Sequence, residues 1–206
     1  MIITETAVAD AFRLVPEQLH DARGTFFEAW RQEPLSRALG RPFPVRQVNY
    51  AVSRRNTLRG FHFAVTPPGQ AKLITCVQGA ALAAVLDLRV GSPTFGRHEL
   101  IAQDQASGVG VYAAEGIGVA FQALTDGARV NYLCSTEFVT STMIGIDALD
   151  PALGIAWDLR EPPVRSIKDS EAPTLEAAAA AGVLPEYERC VAFYHEDARR
   201  TQALVG

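Results

Sequence analysis

His62 and Lys72 stand in two short apolar runs, LRGFHFA and KLITCV, that are joined across a Pro-Pro-Gly turn. An imidazole accepts a proton near neutral pH, and an ammonium is a compact, fixed positive charge. Together they suit removal of a proton from a carbon beside a carbonyl: one group takes the proton and the other stabilises the oxyanion that forms. The bland alternative is a hydrogen-bonded histidine of the core or rim and a lysine solvated at a strand end.

Three further stretches carry polar side chains in strand-like settings. In DARGTFFEAW, Asp21, Arg23 and Gly24 form a turn, after which Phe26, Glu28 and Trp30 alternate with Phe27 and Ala29. One strand face then carries a carboxylate between two aromatics, although an amphipathic edge strand with a solvated Glu28 fits the same residues. In RPFPVRQVNYAVS, Gln47, Asn49 and Ser53 share an uncharged polar face, with Val48, Tyr50 and Val52 between them. Such a face offers amides and a hydroxyl to a polar ligand if it lines a cavity, and is only the outside of a sheet if it meets water. Tyr132 falls inside RVNYLC, where a phenol needs a partner for its hydroxyl whether or not it does chemistry.

Strands must position these groups. With a period of two, Phe61 and Phe63 point to one side of their strand and His62 to the other. Met1 to Ile3 and Ala11 to Val15 read as edge strands, and EPLSRAL with Gly40 behind it reads as a short helix with a Gly stop. After the Gln78-Gly79 turn, AALAAVLDLRV is apolar on both faces, as a strand buried on both sides must be. Residues 109–124 give two more apolar runs around Glu115-Gly116, and Thr125-Asp126-Gly127 predicts a hairpin returning through RVNYLCSTEF. From residue 147 on, apolar residues keep recurring through a Pro-rich stretch that contains Asp169, which predicts an ordered wrap over the sheet. A helix is expected from Thr174 to a Gly182 stop, and a second over 188–204. Roughly ten short strands with small terminal helices predict an all-β antiparallel sandwich or jelly-roll barrel. A chain of 206 residues is expected to form one domain, 1–206, with residues 147–206 wrapping over the barrel.

Composition narrows the classes of function. A formal net charge of -4 and a pI near 5.6 argue against a nucleic-acid surface, which needs clustered Lys and Arg. No run approaches the roughly 20 apolar residues of a membrane span, and MIITETAVADAF lacks the basic-then-apolar pattern of a secretory signal, so a cytoplasmic location is expected. Cys76, Cys134 and Cys190 have no metal-ligand spacing and read as buried reduced thiols.

In order along the chain, RGTFFE, QVN with Ser53, LRGFHF, PPGQAKLITCVQGA, DLRVGSPTFG, Tyr132 within NYLCS, DPALGIAW and SIKD resemble the dTDP-4-dehydrorhamnose 3,5-epimerase family. The resemblance runs from about residue 20 to residue 190. It implies a cupin-type jelly roll, no metal or other cofactor, a homodimer, and a nucleotide-linked 4-keto-6-deoxyhexose as substrate. It also implies that His62 is the base, oriented by Asp169, that Lys72 stabilises the enolate oxygen, and that Tyr132 delivers a proton from the far side. Arg23 and Arg59 would hold the diphosphate, a task suited to planar bidentate donors. Glu28, Gln47 and Asn49 would contact the ligand, and Phe26 or Phe138 would stack on the base.

The chain departs from the family pattern at two positions. Val119 stands where the family usually has a His, and Ala83 where it has an Asp, two residues that form a second His-Asp pair in the family. Losing both together is coherent, because an Asp left without its His would be a buried unpaired carboxylate. The implied activity is epimerisation of a TDP-4-keto-6-deoxyhexose at C3, at C5 or at both. A 3,4-ketoisomerase and a non-catalytic sugar-nucleotide binding protein are the alternatives.

Overall fold

Short apolar runs rich in Val, Leu, Ile and Phe, punctuated by Gly and Pro, form strands in preference to helices over the first 145 residues. A computed structural model describes residues 1–205, except the side chains of Asp197 and of residues 200–205. The described residues form β1 (Ile2–Glu5), β2 (Ala11–Val15), β3 (Leu19–Asp21), β4 (Gly24–Phe26), α1 (Gln32–Leu39), β5 (Gln47–Ser53), β6 (Leu58–Ala64), β7 (Lys72–Gln78) and β8 (Ala80–Asp87). They continue with β9 (His98–Asp104), β10 (Gly110–Ala113), β11 (Ile117–Ala123), β12 (Ala128–Cys134), β13 (Met143–Gly145), α2 (Ile167–Ser170), α3 (Leu175–Ala180) and α4 (Tyr187–Val205).

Two sheets build the barrel. One has six strands in the order β1-β2-β10-β7-β12-β5, the other five in the order β13-β6-β11-β8-β9, and β3 and β4 form a separate hairpin. The ladders between these strands are antiparallel. The result is an all-β cupin-type jelly roll. Inward-facing residues such as Ile74, Val85, Val111, Phe121 and Val130 fill the space between the sheets. A second core covers the outer face of the five-stranded sheet, where Leu58, Phe61, Phe63 and Leu86 pack beneath Ile146, Leu153, Ala178 and Leu184. The segment after residue 145 is therefore held by burial of apolar area and forms an ordered cover.

The expected helix stop and cap and the expected burial of the cysteines match. The first helix spans Gln32–Leu39 and stops at Gly40 in the left-handed conformation, with φ +67. The third begins after Thr174, whose side chain accepts from the Ala177 amide. The three cysteines are free and buried. Among the described residues no helix is long and apolar enough to cross a membrane.

Three expectations need correction. Only β1 is an edge strand of its pair; β2 lies between β1 and β10. The strand through Phe26, Glu28 and Trp30 ends at Phe26, and Trp30 turns inward to pack edge-on against Phe43 at 6.0 Å. The Asp126-Gly127 turn does not close a hairpin: β11 pairs with β6 and β8, while β12 pairs with β5 and β7 in the other sheet. The turn is tied instead to neighbouring loops, with Thr125 Oγ1 accepting from the Ala80 amide at 3.0 Å and Asp126 Oδ1 from the Arg55 amide at 3.3 Å. A turn dipeptide specifies a reversal of the chain but not which strand the returning segment meets.

Candidate active site

Gly60 sets the geometry of the site. His62 pairs with Val119 and Arg59 with Phe121, so Gly60 and Phe61 together oppose Ala120 in a β-bulge. Gly60 has φ +99, and a Cβ there would come within 2.6 Å of the Val119 carbonyl oxygen, so only glycine allows this approach. Strict alternation would put Arg59 and His62, three residues apart, on opposite faces. The bulge restores both to the inner face, and both line an open cavity of about 220 Å³ between the sheets. Leu58, Phe61 and Phe63 point the other way into the outer core.

His62 is held from one side. Its Nε2 is 2.6 Å from Asp169 Oδ1, and the other carboxylate oxygen accepts from Ser166 Oγ at 2.8 Å. Ser166 is the N-cap of α2 and its Oγ accepts in turn from the Asp169 amide at 3.1 Å, a reciprocal capping box that fixes the carboxylate. Arg165 donates to the Asp169 carbonyl and is paired with Asp147 at 2.5 Å. Burial pushes the Asp169 carboxyl up, but the hydrogen bond and charge of His62 together with Ser166 outweigh it and leave the group below its ordinary value. An ionised carboxylate on Nε2 fixes the proton there and leaves the other ring nitrogen with its lone pair.

Lys72 and Tyr132 come from the opposite sheet. Lys72 is 6% exposed, and its Nζ reaches across the cavity to donate to the His62 carbonyl at 3.2 Å. Burial pulls its ammonium down to about 8, opposed only by the neighbouring Cys134. Tyr132 lies on β12, the neighbour of β7 in the six-stranded sheet that faces the His62 wall, with its ring 6.3 Å from that of Phe121. Burial raises its phenol well above the usual value, with Arg59 pulling the other way, so the hydroxyl keeps its proton at neutral pH.

Of the expected ligand contacts, the structure brings Arg59, Asn49 and Phe138 to the cavity. Arg59 Nε donates to Ser53 Oγ at 3.1 Å, and Phe138 is half exposed at the mouth. The polar face of β5 is thus the inner one, and Val48, Tyr50 and Val52 are exposed, the reverse of an ordinary half-buried strand. Gln47 is tied to two residues that line the cavity: its amide donates to Asn49 Oδ1 at 2.8 Å and accepts from the Phe138 amide at 2.7 Å. Arg23, Phe26 and Glu28 do not line this cavity. Arg23 is paired with Asp21 at 2.5 Å on the exposed β3–β4 hairpin, Phe26 is 67% exposed, and Glu28 sits 3.6 Å from Arg31. Arg23 and Phe26 are placed by a hairpin that joins neither sheet, and Glu28 by the segment that follows it.

Sequence reasoning missed Ser166, Arg165, Gln70 and Met143. Ser166 and Asp169 carry the S-x-x-D spacing of a capping box, a signal that could have found the first of them. Gln70 and Met143 line the cavity from loop and edge strand, and no periodicity marks them. Val119 and Ala83 share the inner face: Val119 opposes Val85 and Phe121 opposes Ala83 in the β8–β11 ladder, which makes the two substituted positions diagonal neighbours. Among the described residues no three His, Cys, Asp or Glu side chains are grouped to hold a metal ion.

Comparison with known proteins identifies relatives of the chain. The family profile described as dTDP-4-dehydrorhamnose 3,5-epimerase matches residues 5–177. The chain is 47% identical over 168 residues, 82% of its length and 86% of the relative's, to a dTDP-4-dehydro-6-deoxyglucose 3-epimerase of Streptomyces bikiniensis. It is similar in structure to an epimerase of Mycobacterium tuberculosis, with a TM-score of 0.93 and 39% identity over 95% of this chain and 99% of that one. A 3'-monoepimerase from Streptomyces bikiniensis, solved in complex with dTDP-quinovose, superposes with a TM-score of 0.85 and 43% identity, covering 93% of this chain and 94% of that one.

Proposed function

The chain belongs to the dTDP-4-dehydrorhamnose 3,5-epimerase family, and from that premise we propose that it epimerises a TDP-linked 4-keto-6-deoxyhexose at C3 in deoxysugar biosynthesis. The observation that carries this reading is the contact of 2.6 Å between His62 and Asp169 beside the buried Lys72 ammonium, with the Tyr132 phenol on the opposite wall. The choice of C3 is supported by relatives whose names specify that carbon.

The carbonyl at C4 makes the proton on C3 acidic. The free ring nitrogen of His62 takes that proton, and the electron pair of the C–H bond moves to the C4 oxygen as an enolate. Asp169 stabilises the imidazolium that results and holds its orientation. The Lys72 ammonium, fixed in a site with little water, stabilises the enolate oxygen more strongly than a solvated lysine would. Tyr132 then gives its proton to the other face of C3, the carbonyl re-forms, and the configuration is inverted. Both proton carriers are reset by exchange with water.

Arg59 and Asn49 suit the polar part of the ligand nearest the cavity, and Phe138 offers a face for the base at the mouth. Arg23 and Phe26 stand on a hairpin, and Glu28 just after it, outside their own chain's cavity, so a role in holding nucleotide assigns them to the companion site in a homodimer. The expected setting is the cytoplasm. Proton NMR of TDP-4-keto-6-deoxyglucose, or its 2-deoxy analogue, with the protein in deuterium oxide tests the reading. Deuterium at C3 is expected, and exchange at neither C3 nor C5 of either sugar would remove the epimerase assignment.

A further inference from the structure

Gln70 lies two residues before Lys72 and lines the same cavity as that lysine and His62, although it is only 5% exposed. The segment that follows β12 holds its backbone on both sides. Thr136 Oγ1 donates to the Gly69 carbonyl at 3.0 Å, and Ser135 Oγ accepts from the Ala71 amide at 2.8 Å. The side chain is held as well: Nε2 donates to the Thr136 carbonyl at 2.8 Å, which fixes which end of the amide is the oxygen. Thr136 belongs to the wall of an adjoining cavity, so the NH2 is spent on that side and Oε1 is the end left for the cavity of the base. Among the described residues Oε1 meets no donor. Unlike the unpartnered oxygen of Gln103, it is not sealed from water.

Its neighbours in the cavity call for the opposite kind of partner. Arg59 and Lys72 only donate, and Asn49 Oδ1 already accepts from the Gln47 amide at 2.8 Å, which leaves its NH2 for a ligand. A diphosphate and a keto oxygen are acceptors and suit these donors. A sugar hydroxyl has a proton to donate as well, and taking it out of water without an acceptor is unfavourable. His62 and Tyr132 are engaged in proton transfer. We propose that Gln70 Oε1 accepts a hydrogen bond from a hydroxyl of the hexose and so orients the ring against the base and the lysine. This inference rests on the epimerase reading, which brings the hexose to His62, and adds to it a sugar-binding residue. The amide is held in place before the ligand arrives, so little freedom is lost when it binds.

Gln70→Met keeps the length and bulk of the side chain and removes the acceptor. With TDP-4-keto-6-deoxyglucose in deuterium oxide, kcat/KM for deuterium entry at C3 is expected to fall about tenfold or more. TDP alone, which has no hexose, is expected to bind within about twofold of the wild type by calorimetry, because the lost contact is to the sugar. A smaller fall in kcat/KM overturns the proposal. So does an equal loss of TDP affinity, which would assign the oxygen to the nucleotide or the side chain to the fold. Where the variant fails to fold, a crystal structure of the wild type with TDP-6-deoxyglucose decides. A hexose hydroxyl within hydrogen-bonding distance of Gln70 Oε1 is expected there, and its absence overturns the proposal. Wild-type protein that exchanges at neither C3 nor C5 would defeat the epimerase reading itself, an outcome distinct from a variant that exchanges as fast as the wild type.

Discussion

Asp169 Oδ1 stands 2.6 Å from His62 Nε2 although 107 positions separate the two residues. The contact joins a strand of the barrel to a single helical turn in the covering segment, and the capping box of that turn aims the carboxylate. The imidazole is thus oriented by a part of the chain that contributes no strand to either sheet.

Replacing Asp169 by Asn keeps the shape and removes the charge. The amide can present its NH2 to Nε2 and so favour the wrong tautomer, and it cannot stabilise imidazolium. Deuterium entry at C3 is expected to fall about a thousandfold or more in kcat with little change in KM. Ser166→Ala, which removes one hydrogen bond to the carboxylate, is expected to cost about tenfold. Single-turnover exchange measured by NMR checks both.

Lys72→Met tests a conflict between stability and activity. The folded-state value near 8 lies below the ordinary 10.5, so burial of the charged form destabilises the protein at neutral pH. Between these two values the unfolded chain binds more protons, and stability rises with pH; above 10.5 the lysine is neutral in both states and the penalty is gone. The Met variant is therefore expected to gain on the order of 2–3 kcal/mol over the wild type at pH 7, and the gain should shrink as pH rises from about 8 toward 10.5. Urea denaturation at several pH values measures it, and the same variant should lose C3 exchange. In the wild type, kcat/KM should decline as pH rises through about 8, because the neutral amine no longer balances the enolate.

Tyr132→Phe separates the two halves of the reaction. His62 can still remove and return the C3 proton on its own face, so deuterium washes in with retained configuration. Net inversion at C3 is expected to drop at least a hundredfold. Loss of exchange and inversion in equal measure would reassign the phenol to binding.

Gly60→Ala probes the bulge. Its φ of +99 and the 2.6 Å approach of the new Cβ to the Val119 carbonyl leave no room for a side chain. A loss of about 1–3 kcal/mol in stability is expected. C3 exchange should fall further than stability explains, because Arg59 and His62 would no longer face the same cavity. Melting temperature and exchange rate measured on the same preparation distinguish the two effects.

The sequence by itself determined the strand-rich character of the chain, because short β-branched and aromatic runs between Gly and Pro have no other stable local form. It also put His62 on the face opposite to Phe61 and Phe63, marked α1 and α3 through their caps, and, through its ordered motifs, singled out His62, Lys72 and Tyr132, which line the cavity, and Asp169, which holds the imidazole. Only the tertiary structure decided that Arg59 joins His62, since a bulge shifts the alternation by one residue and depends on how closely β11 approaches. It also sent β11 and β12 into different sheets, turned the polar face of β5 inward, and left Arg23 and Phe26 on a hairpin, with Glu28 just after it, away from the cavity. The physical reason is common to these cases: local pattern fixes which residues share a face, while long-range pairing and burial fix what that face meets.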